Sequence, residues 1–221
     1  VHRVTDLIPN GGRYGLGMIR AEADIYPDDW FIVCHFVDDK GMPGTLMYEC
    51  CMHTLRVLLL RMGWVTENDG NAVWEPVPGV ASRLCCRGQV LETTKLVTYE
   101  VAIREIGYCP EPYVLVDALM YSDGKPIVEI SNMSCRLSGS SKEKLENLWQ
   151  KGNTTLPQPS HEEIKPIFSP SPMIGVGRGE GEDSYIKPAI YTKEQILAFS
   201  NGKPSEGFGD KYQVFDADRK I

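Results

Sequence analysis

The stretch WFIVCHFVDDKGMPGTLMYECCMHTLRVLLLRMG, residues 30–63, decides the fold of this chain. Residues 31–36 are apolar apart from His35 and predict a buried β-strand. A polar turn follows, and a Pro-Gly pair ending at Gly44 opens a long apolar segment that predicts a helix. Gly63 stands where a residue in the left-handed conformation commonly ends a helix. The stretch therefore predicts a histidine at a strand end, close to the start of a long helix.

The predicted helix is apolar on nearly all of its faces, which is typical of a helix surrounded by protein. It carries one carboxylate, Glu49, and we expect this side chain to be buried in the helix. A buried acid near an imidazole is typical of sites that transfer protons. The apolar positions are Leu46, Met47, Cys50, Cys51, Met52, Leu55, Leu58, Leu59 and Met62.

The regions around this helix read mainly as β-strands. A hairpin arm at 13–25 feeds a strand before the helix, and runs rich in Val, Ile, Leu and Tyr follow it. Turn residues separate these runs, which indicates an antiparallel meander. One long helix followed by a meander predicts an α+β fold, in which an antiparallel sheet wraps around one long central helix. The runs after the helix are 82–87, 96–106, 113–121 and 126–137.

The composition changes after the meander. A short charged helix is predicted at 140–151, and a stretch rich in Pro, Ser and Gly follows it. Near the end, Thr192 to Gln195 reads as a capping box that starts a helix at 192–200. Residues 212–215 read as a strand.

Charge and hydropathy exclude two classes of partner. The 23 Lys and Arg against 30 Asp and Glu give a net charge of -7, and no basic cluster offers a surface to nucleic acid. The longest apolar run, 55–60, is interrupted by Arg56 and is too short to span a membrane.

Two adjacent cysteine pairs, 50–51 and 85–86, lack the spacing of a zinc site. The seven cysteines therefore read as small buried residues in a reducing compartment, which predicts a cytoplasmic protein.

The histidine, the carboxylate and the helix start together suit one reaction. Dehydration of a 3-hydroxyacyl thioester needs a base for the C2 proton, an acid for the departing hydroxyl and a donor to the thioester carbonyl. His35 and Glu49 supply the first two. The unpaired N–H groups at a helix start supply the third, and Gly44 lets a substrate approach its amide closely.

The same residues carry a family resemblance. Cys34-His35-Phe36, Asp39, Met42-Pro43-Gly44, Leu46 and Glu49 resemble the signature of bacterial 3-hydroxyacyl carrier-protein dehydratases of the hotdog fold, of the 3-hydroxydecanoyl type. The similarity extends to 11–28 upstream and to 88–99 downstream. The chain is most similar to dehydratase domains of polyunsaturated fatty acid synthases or related polyketide synthases.

The resemblance implies a site shared between two hotdog units. His35 would be the base, Glu49 would take the place of the catalytic Asp, and Gly44 N–H would polarise the carbonyl of a substrate held on acyl carrier protein. The base of one unit faces the acid of a second unit, either in a homodimer or in a linked domain. No metal or other cofactor is implied. The residues expected to line the acyl site are Met42, Pro43, Met47 and Cys51.

The resemblance also implies a domain division. Residues 1–140 would form the dehydratase unit, 141–190 a linker, and 191–221 the leader of a following hotdog unit. The chain would then be a segment of a longer multidomain protein.

Three departures from the family pattern leave alternatives open. Lys40-Gly41 replaces a proline-containing turn, His53 stands where a glutamine often steadies the acid, and Glu49 is longer than Asp. These residues also suit a non-catalytic unit kept for dimerisation or carrier-protein docking, or a hotdog thioesterase that uses the helix carboxylate. Two imidazoles and Glu49 would also suit a metal ion, although no supporting residues are evident. Acyl chain length and product double-bond geometry are not encoded in these motifs.

Overall fold

The computed structural model describes residues 1–35, 39–65, 72–155 and 188–216. Seven strands and five α-helices lie within those ranges, and a 3₁₀ helix at Asp210–Phe215 follows the last α-helix. The strands are β1 Arg3–Ile8, β2 Met18–Asp24, β3 Val73–Glu75, β4 Arg83–Cys86, β5 Leu96–Gly107, β6 Tyr113–Ser122 and β7 Lys125–Ser138. The helices are α1 Trp30–Cys34, α2 Gly44–Arg61, α3 Lys142–Thr155, α4 Lys193–Ser200 and α5 Pro204–Phe208.

One antiparallel sheet contains all seven strands, in the order β1-β2-β5-β6-β7-β3, and β4 also pairs with β7. Side chains alternate between its faces, so that Val97, Tyr99 and Val101 on β5 are at most 1% exposed while Glu100 between them reaches the other face. The inner face packs against α2 through β2, β5 and β6. This is the predicted α+β arrangement, a hotdog fold, and the predicted strands after the helix are confirmed to within about two residues.

Helix α2 has the ends that its sequence predicts. Pro43 precedes its first residue, and Gly63 beyond its last turn has a φ of +93°, which a residue with a side chain rarely adopts. A Cβ at Gly63 would also lie 2.9 Å from the indole nitrogen of Trp149, which donates a hydrogen bond to the Gly63 carbonyl. The helix stands on the sheet with Leu55 and Leu58 fully buried.

The predicted strand at 31–36 is wrong over its described part, 31–35, and residue 36 lies outside the described residues. Residues 30–34 form the one-turn helix α1, with Phe31 and Ile32 buried and Trp30 and Val33 exposed. A turn locks its start, because Asp29 accepts a hydrogen bond from the Tyr26 amide and its carbonyl accepts from the Ile32 amide. An apolar run this short fits a strand and a buried helical turn equally well. His35 therefore follows a helical turn and not a strand.

The predicted strand at 212–215 is also wrong, because these residues belong to the 3₁₀ helix. Gly209, with a φ of +100°, redirects the chain just before it. Tyr212 is 1% exposed and packs among other aromatic rings, which holds the segment in a helical turn. Tertiary packing overrides the β-propensity of a short Tyr-Gln-Val-Phe run.

Residues 188–216, here called the C-terminal segment, pack against β1 and α2. The amide of Val4 donates to the carbonyl of Tyr191 at 2.9 Å, and the amide of Ile190 donates to the carbonyl of Val4 at 2.6 Å. The predicted capping box of α4, between Thr192 and Gln195, is confirmed. Ile196, Phe208 and Tyr212 are part of the same buried core as the sheet. The boundaries predicted at 140 and 190 stay a prediction, and most of the predicted linker, 156–187, lies outside the described residues.

Arg61, at the end of α2, joins this segment to the helix. Its guanidinium donates to the hydroxyl of Tyr212 at 2.8 Å and lies 5.8 Å and 5.6 Å from the ring centroids of Tyr191 and Tyr212. Trp149 of α3 packs edge-on against Tyr212 from another side. Cation–π and aromatic edge contacts of this kind add to the energy of simple burial.

We expect Tyr212→Phe to lower the free energy of unfolding by about 2 kcal/mol, because Arg61 then loses a buried acceptor while the ring contacts remain. Urea denaturation measures the change. Tyr26→Phe is the matched control, since Tyr26 is 54% exposed, and it is expected to change stability by less than about 0.5 kcal/mol. Equal effects of the two substitutions would contradict a structural role for the Arg61 contact.

Among the described residues, no helix combines the length and apolar character needed to cross a bilayer. The seven cysteines are all free, but only Cys51 and Cys135 are buried, and Cys34, Cys86 and Cys109 are exposed. The expectation that the cysteines are uniformly buried is therefore wrong. The exposed ones lie in α1, in β4 and in the loop after β5, outside the core formed by α2 and the sheet.

Candidate functional site

His35 is held by the loop that leads to α2. Its Nδ1 lies 2.9 Å from the carbonyl oxygen of Gly41. A carbonyl oxygen only accepts, so Nδ1 carries the hydrogen in this contact. The neutral imidazole then has its lone pair on Nε2. His35 is half-buried, and its ring is oriented by the Nδ1 contact to Gly41.

The loop itself is fixed to the segment before β5. The Met42 amide donates to the Val90 carbonyl at 2.9 Å, and Gly41 pairs with Leu91 as an isolated β-bridge. Lys40 adds a surface contact of 3.4 Å to Glu92. These contacts replace the rigidity that a proline would give, so the Lys40-Gly41 sequence still presents an ordered carbonyl to His35.

Gly44 is the first residue of α2. The Met47 amide closes the first helical turn on the Pro43 carbonyl, and no side chain caps this helix start. The amides that precede the first intrahelical bond are unpaired within the helix and carry its positive dipole end. A Cβ built on Gly44 would meet no atom within 4 Å, so the space beside this amide is open.

Glu49 is not buried, contrary to the sequence-based expectation. Its side chain is 57% exposed, and Oε1 lies 3.5 Å from a guanidinium nitrogen of Arg56. The residue lies two positions beyond Met47, about 200° around the helix from the face that packs on the sheet. The apolar residues of α2 do not surround it, and its carboxylate projects from the unit toward solvent.

Residues expected to line the acyl site differ in their placement. Met42, Met47 and Cys51 are each at most 6% exposed and belong to the core between α2 and the sheet. Burial raises the pKa of the Cys51 thiol well above its usual range. Pro43 is half-buried at the helix start. Their contact with a substrate stays a prediction.

A cavity of about 380 Å³ opens beside Glu49. It lies between α2 and α4, and residues at the amino-terminal end of the described chain close one side of it. The side chains that form its two main walls are Glu49, Cys50 and His53 from α2 and Ile196, Leu197 and Ser200 from α4. Sequence reasoning missed the α4 wall, because no local pattern indicates where a segment 147 residues away along the chain packs.

His53 faces this cavity in its neutral form. Its Nε2 lies 3.3 Å from Ser200 Oγ, and the same hydroxyl donates to the Ile196 carbonyl at 2.9 Å. A hydroxyl has one hydrogen, so Nε2–H is the donor to Ser200. Burial, with smaller contributions from the amino-terminal charge and Arg56, lowers the pKa of His53 to about 4. The imidazole is therefore uncharged near neutral pH.

The burial of His53 makes the free energy of unfolding depend on pH. His53 binds its proton in the unfolded chain near pH 6.5 but in the folded protein only near pH 4, so its contribution is complete above pH 6.5 and is lost as pH falls toward 4. Between about pH 7 and pH 5 we expect a loss of about 2 kcal/mol from this group. Urea denaturation of wild type and His53→Gln at both pH values tests this. A loss of the same size in His53→Gln would show that other groups cause it.

A metal site has no support in this geometry. Within the four described ranges, no group of three or more His, Cys, Asp or Glu side chains is placed to hold a metal ion. The Nε2 atom of His53 forms a hydrogen bond with the Ser200 hydroxyl, and the Glu49 carboxylate pairs with the Arg56 guanidinium.

Comparisons with known proteins agree with this architecture. The FabA-like domain family matches residues 1–131. A polyunsaturated fatty acid synthase subunit of Thraustochytrium sp. (strain ATCC 26185 / S-3) is 29% identical over 182 residues, which are 76% of this chain and 12% of that protein. The chain thus spans about an eighth of the length of this relative.

Solved structures that match part of the chain have low sequence identity to it. A hypothetical thioesterase protein with coenzyme A from Streptococcus pneumoniae TIGR4 is 7% identical, with a TM-score of 0.42, over 64% of this chain and 89% of that one. A hot-dog-like protein from Thermanaerovibrio acidaminovorans is 13% identical, with a TM-score of 0.38, over 61% of this chain and 89% of that one.

Proposed function

The chain belongs to the FabA-like domain family, and from this membership we propose that it dehydrates 3-hydroxyacyl groups carried on acyl carrier protein. The product would be the trans-2-enoyl thioester, made during the synthesis of fatty acids or polyketides. The relationship to part of a polyunsaturated fatty acid synthase supports this setting, which is expected to be cytoplasmic.

One observation carries the proposal, namely the contact between His35 Nδ1 and the Gly41 carbonyl. It orients the imidazole through Nδ1, and in the proposed mechanism Nε2 is the nitrogen that acts as the base. A general base needs a defined lone pair within reach of the proton that it removes. Gly44 offers an open approach to an amide at the helix start, where the oxygen of a thioester can be polarised.

The proposed reaction balances without a cofactor. His35 Nε2 takes the C2 proton, the electron pair of that C–H bond forms the C2–C3 double bond, and the C3–O bond breaks. Protonated Glu49 gives its proton to the departing hydroxyl, which leaves as water. His35 then holds one extra proton and Glu49 lacks one, so a proton returns from the imidazolium to the carboxylate through solvent before the next turnover.

The exposure of Glu49 supports the need for a second unit. A carboxylate that is 57% exposed lies in water, where it has little advantage as an acid, and only a covering surface would change this. A second hotdog unit, as a homodimer or a linked domain, would bring its own His35 equivalent to this carboxylate. The proposed site is therefore formed by the base of one unit and the acid of another.

A thioester assay tests the function. Purified protein is mixed with a synthetic 3-hydroxyacyl pantetheine thioester, and the product is followed by mass spectrometry together with free thiol release. Loss of one water without thiol release is the expected result. Thiol release would assign a thioesterase instead, and an unchanged substrate with protein that is dimeric in solution would assign a non-catalytic unit. Both of these outcomes would overturn the proposed dehydration.

A further inference from the structure

The cavity beside Glu49 has two walls that come from distant parts of the chain. Glu49 and His53 stand on α2, while α4 adds the apolar side chains of Ile196 and Leu197 together with Lys193 and Ser200. A concave site with apolar walls and a few polar groups is the usual form of a small-ligand site. This cavity is near the lower end of the size range for such sites.

Leu197 is the unusual member of the α4 wall. Its neighbour Ile196 is 2% exposed and packs into the core, whereas Leu197 is 56% exposed and lines the cavity. A large apolar side chain left open to water at a concave surface gains stability when an apolar group covers it. An apolar group is the ligand chemistry that would cover Leu197, while Lys193, one turn earlier on α4, adds a charged side chain to the same cavity.

The wall that carries Leu197 is fixed in place. The capping box holds the start of α4, Ser200 contacts His53 at its end, and Gln195 Nε2 donates to the Gly207 carbonyl at 3.0 Å. Paired backbone groups also attach Tyr191, just before α4, to Val4 at the edge of the sheet. Because α4 is held at both ends, it is not displaced by a larger ligand, and ligands of different size would therefore bind with different affinity.

We propose that Leu197 is a specificity-determining residue, which limits the length of the acyl chain that enters the cavity beside Glu49. The proposal rests on the proposed function, in which an acyl thioester is the ligand and Glu49 is the acid. The reacting carbons lie at Glu49, and the distal methylene groups extend toward Leu197. In this arrangement the C-terminal segment serves as one side of the acyl site.

The test compares Leu197→Ala, Leu197→Trp and wild type on 3-hydroxyacyl pantetheine thioesters of four, eight and twelve carbons. We expect Leu197→Trp to shift the kcat/KM ratio of long to short substrates about tenfold toward the short ones, and Leu197→Ala to shift it toward the long ones. Leu119→Trp is the matched control, because Leu119 is an exposed leucine on the outer face of β6. It is expected to leave the ratio unchanged.

Binding provides a second measurement that does not depend on turnover. Saturated acyl-pantetheine amides of the same lengths are titrated by calorimetry, and the same shift in preferred length is expected in Kd. Dehydration with an unchanged length preference in both Leu197 variants would overturn this inference and leave the proposed function standing. A shifted preference in Kd without dehydration would support the inference and overturn the function. Absence of binding by any amide to wild type would overturn the inference.

Discussion

His35→Ala is expected to lower kcat/KM for 3-hydroxyacyl thioester dehydration by about a hundredfold to ten-thousandfold, which is the usual contribution of a positioned general base. The substitution removes the nitrogen that takes the C2 proton, and no other described imidazole is held against the loop before α2. The Gly41 carbonyl loses its donor, but Gly41 stays paired with Leu91 through the backbone. The loss should therefore be a loss of chemistry and not of the fold.

The measurement is the rate of enoyl product formation, together with the midpoint of thermal unfolding of each variant. Lys40→Ala is the matched control in the same loop, because it removes only a solvent-exposed contact to Glu92. It is expected to keep activity within about twofold of wild type, as expected for an exposed pair that contributes little to stability. Wild-type turnover in His35→Ala would refute the assignment of the base, and a large drop in the unfolding midpoint would point to a structural role.

The fold was predictable where the sequence pattern is long. Eighteen residues of α2 between a Pro-Gly start and Gly63, and the alternating strands β5 to β7, have patterns that only one type of element satisfies. The sequence mispredicts the described residues 31–35 and 212–215, because each prediction rests on a single short apolar run. In such runs the packing of Phe31 or Tyr212 against distant residues decides the conformation, and that packing is not encoded locally.

Some residues of the candidate site are likewise predictable from a local motif, whereas the placement of others depends on tertiary packing. His35 and Gly44 lie nine positions apart in the sequence, so a local motif is sufficient to predict that the histidine lies close to the residues before α2, and His35 does contact Gly41. The exposure of Glu49 depends on which side of α2 faces the sheet, and a helix apolar on most faces does not indicate this. The contact of His53 with Ser200 depends on how α4 folds back, and the intervening sequence gives no signal for it.

A second large effect is expected when two inactive variants are combined. If the base of one unit works with the acid of another, His35→Ala and Glu49→Gln are each inactive as homodimers. A dimer formed from one chain of each kind has one intact site, made from the His35 of the Glu49→Gln chain and the Glu49 of the His35→Ala chain. Its other site lacks both groups. Co-expression of the two chains under different affinity tags, followed by two-step purification, yields this mixed species.

Random pairing should restore about a quarter of wild-type activity, since about half of the dimers are mixed and each has one of two symmetric sites intact. The purified mixed dimer should reach about half of it. Combining His35→Ala with the double variant His35→Ala/Glu49→Gln is the matched control, because that pair contains no His35 and cannot form an intact site. Within its own chain, Glu49 is exposed and pairs with Arg56. A contact between two units is the arrangement that would bring the His35 imidazole of another chain to this carboxylate. An active wild-type dimer whose mixed dimer stays inactive would place the His35 and the Glu49 of each active site in the same unit, which would contradict a site shared between units.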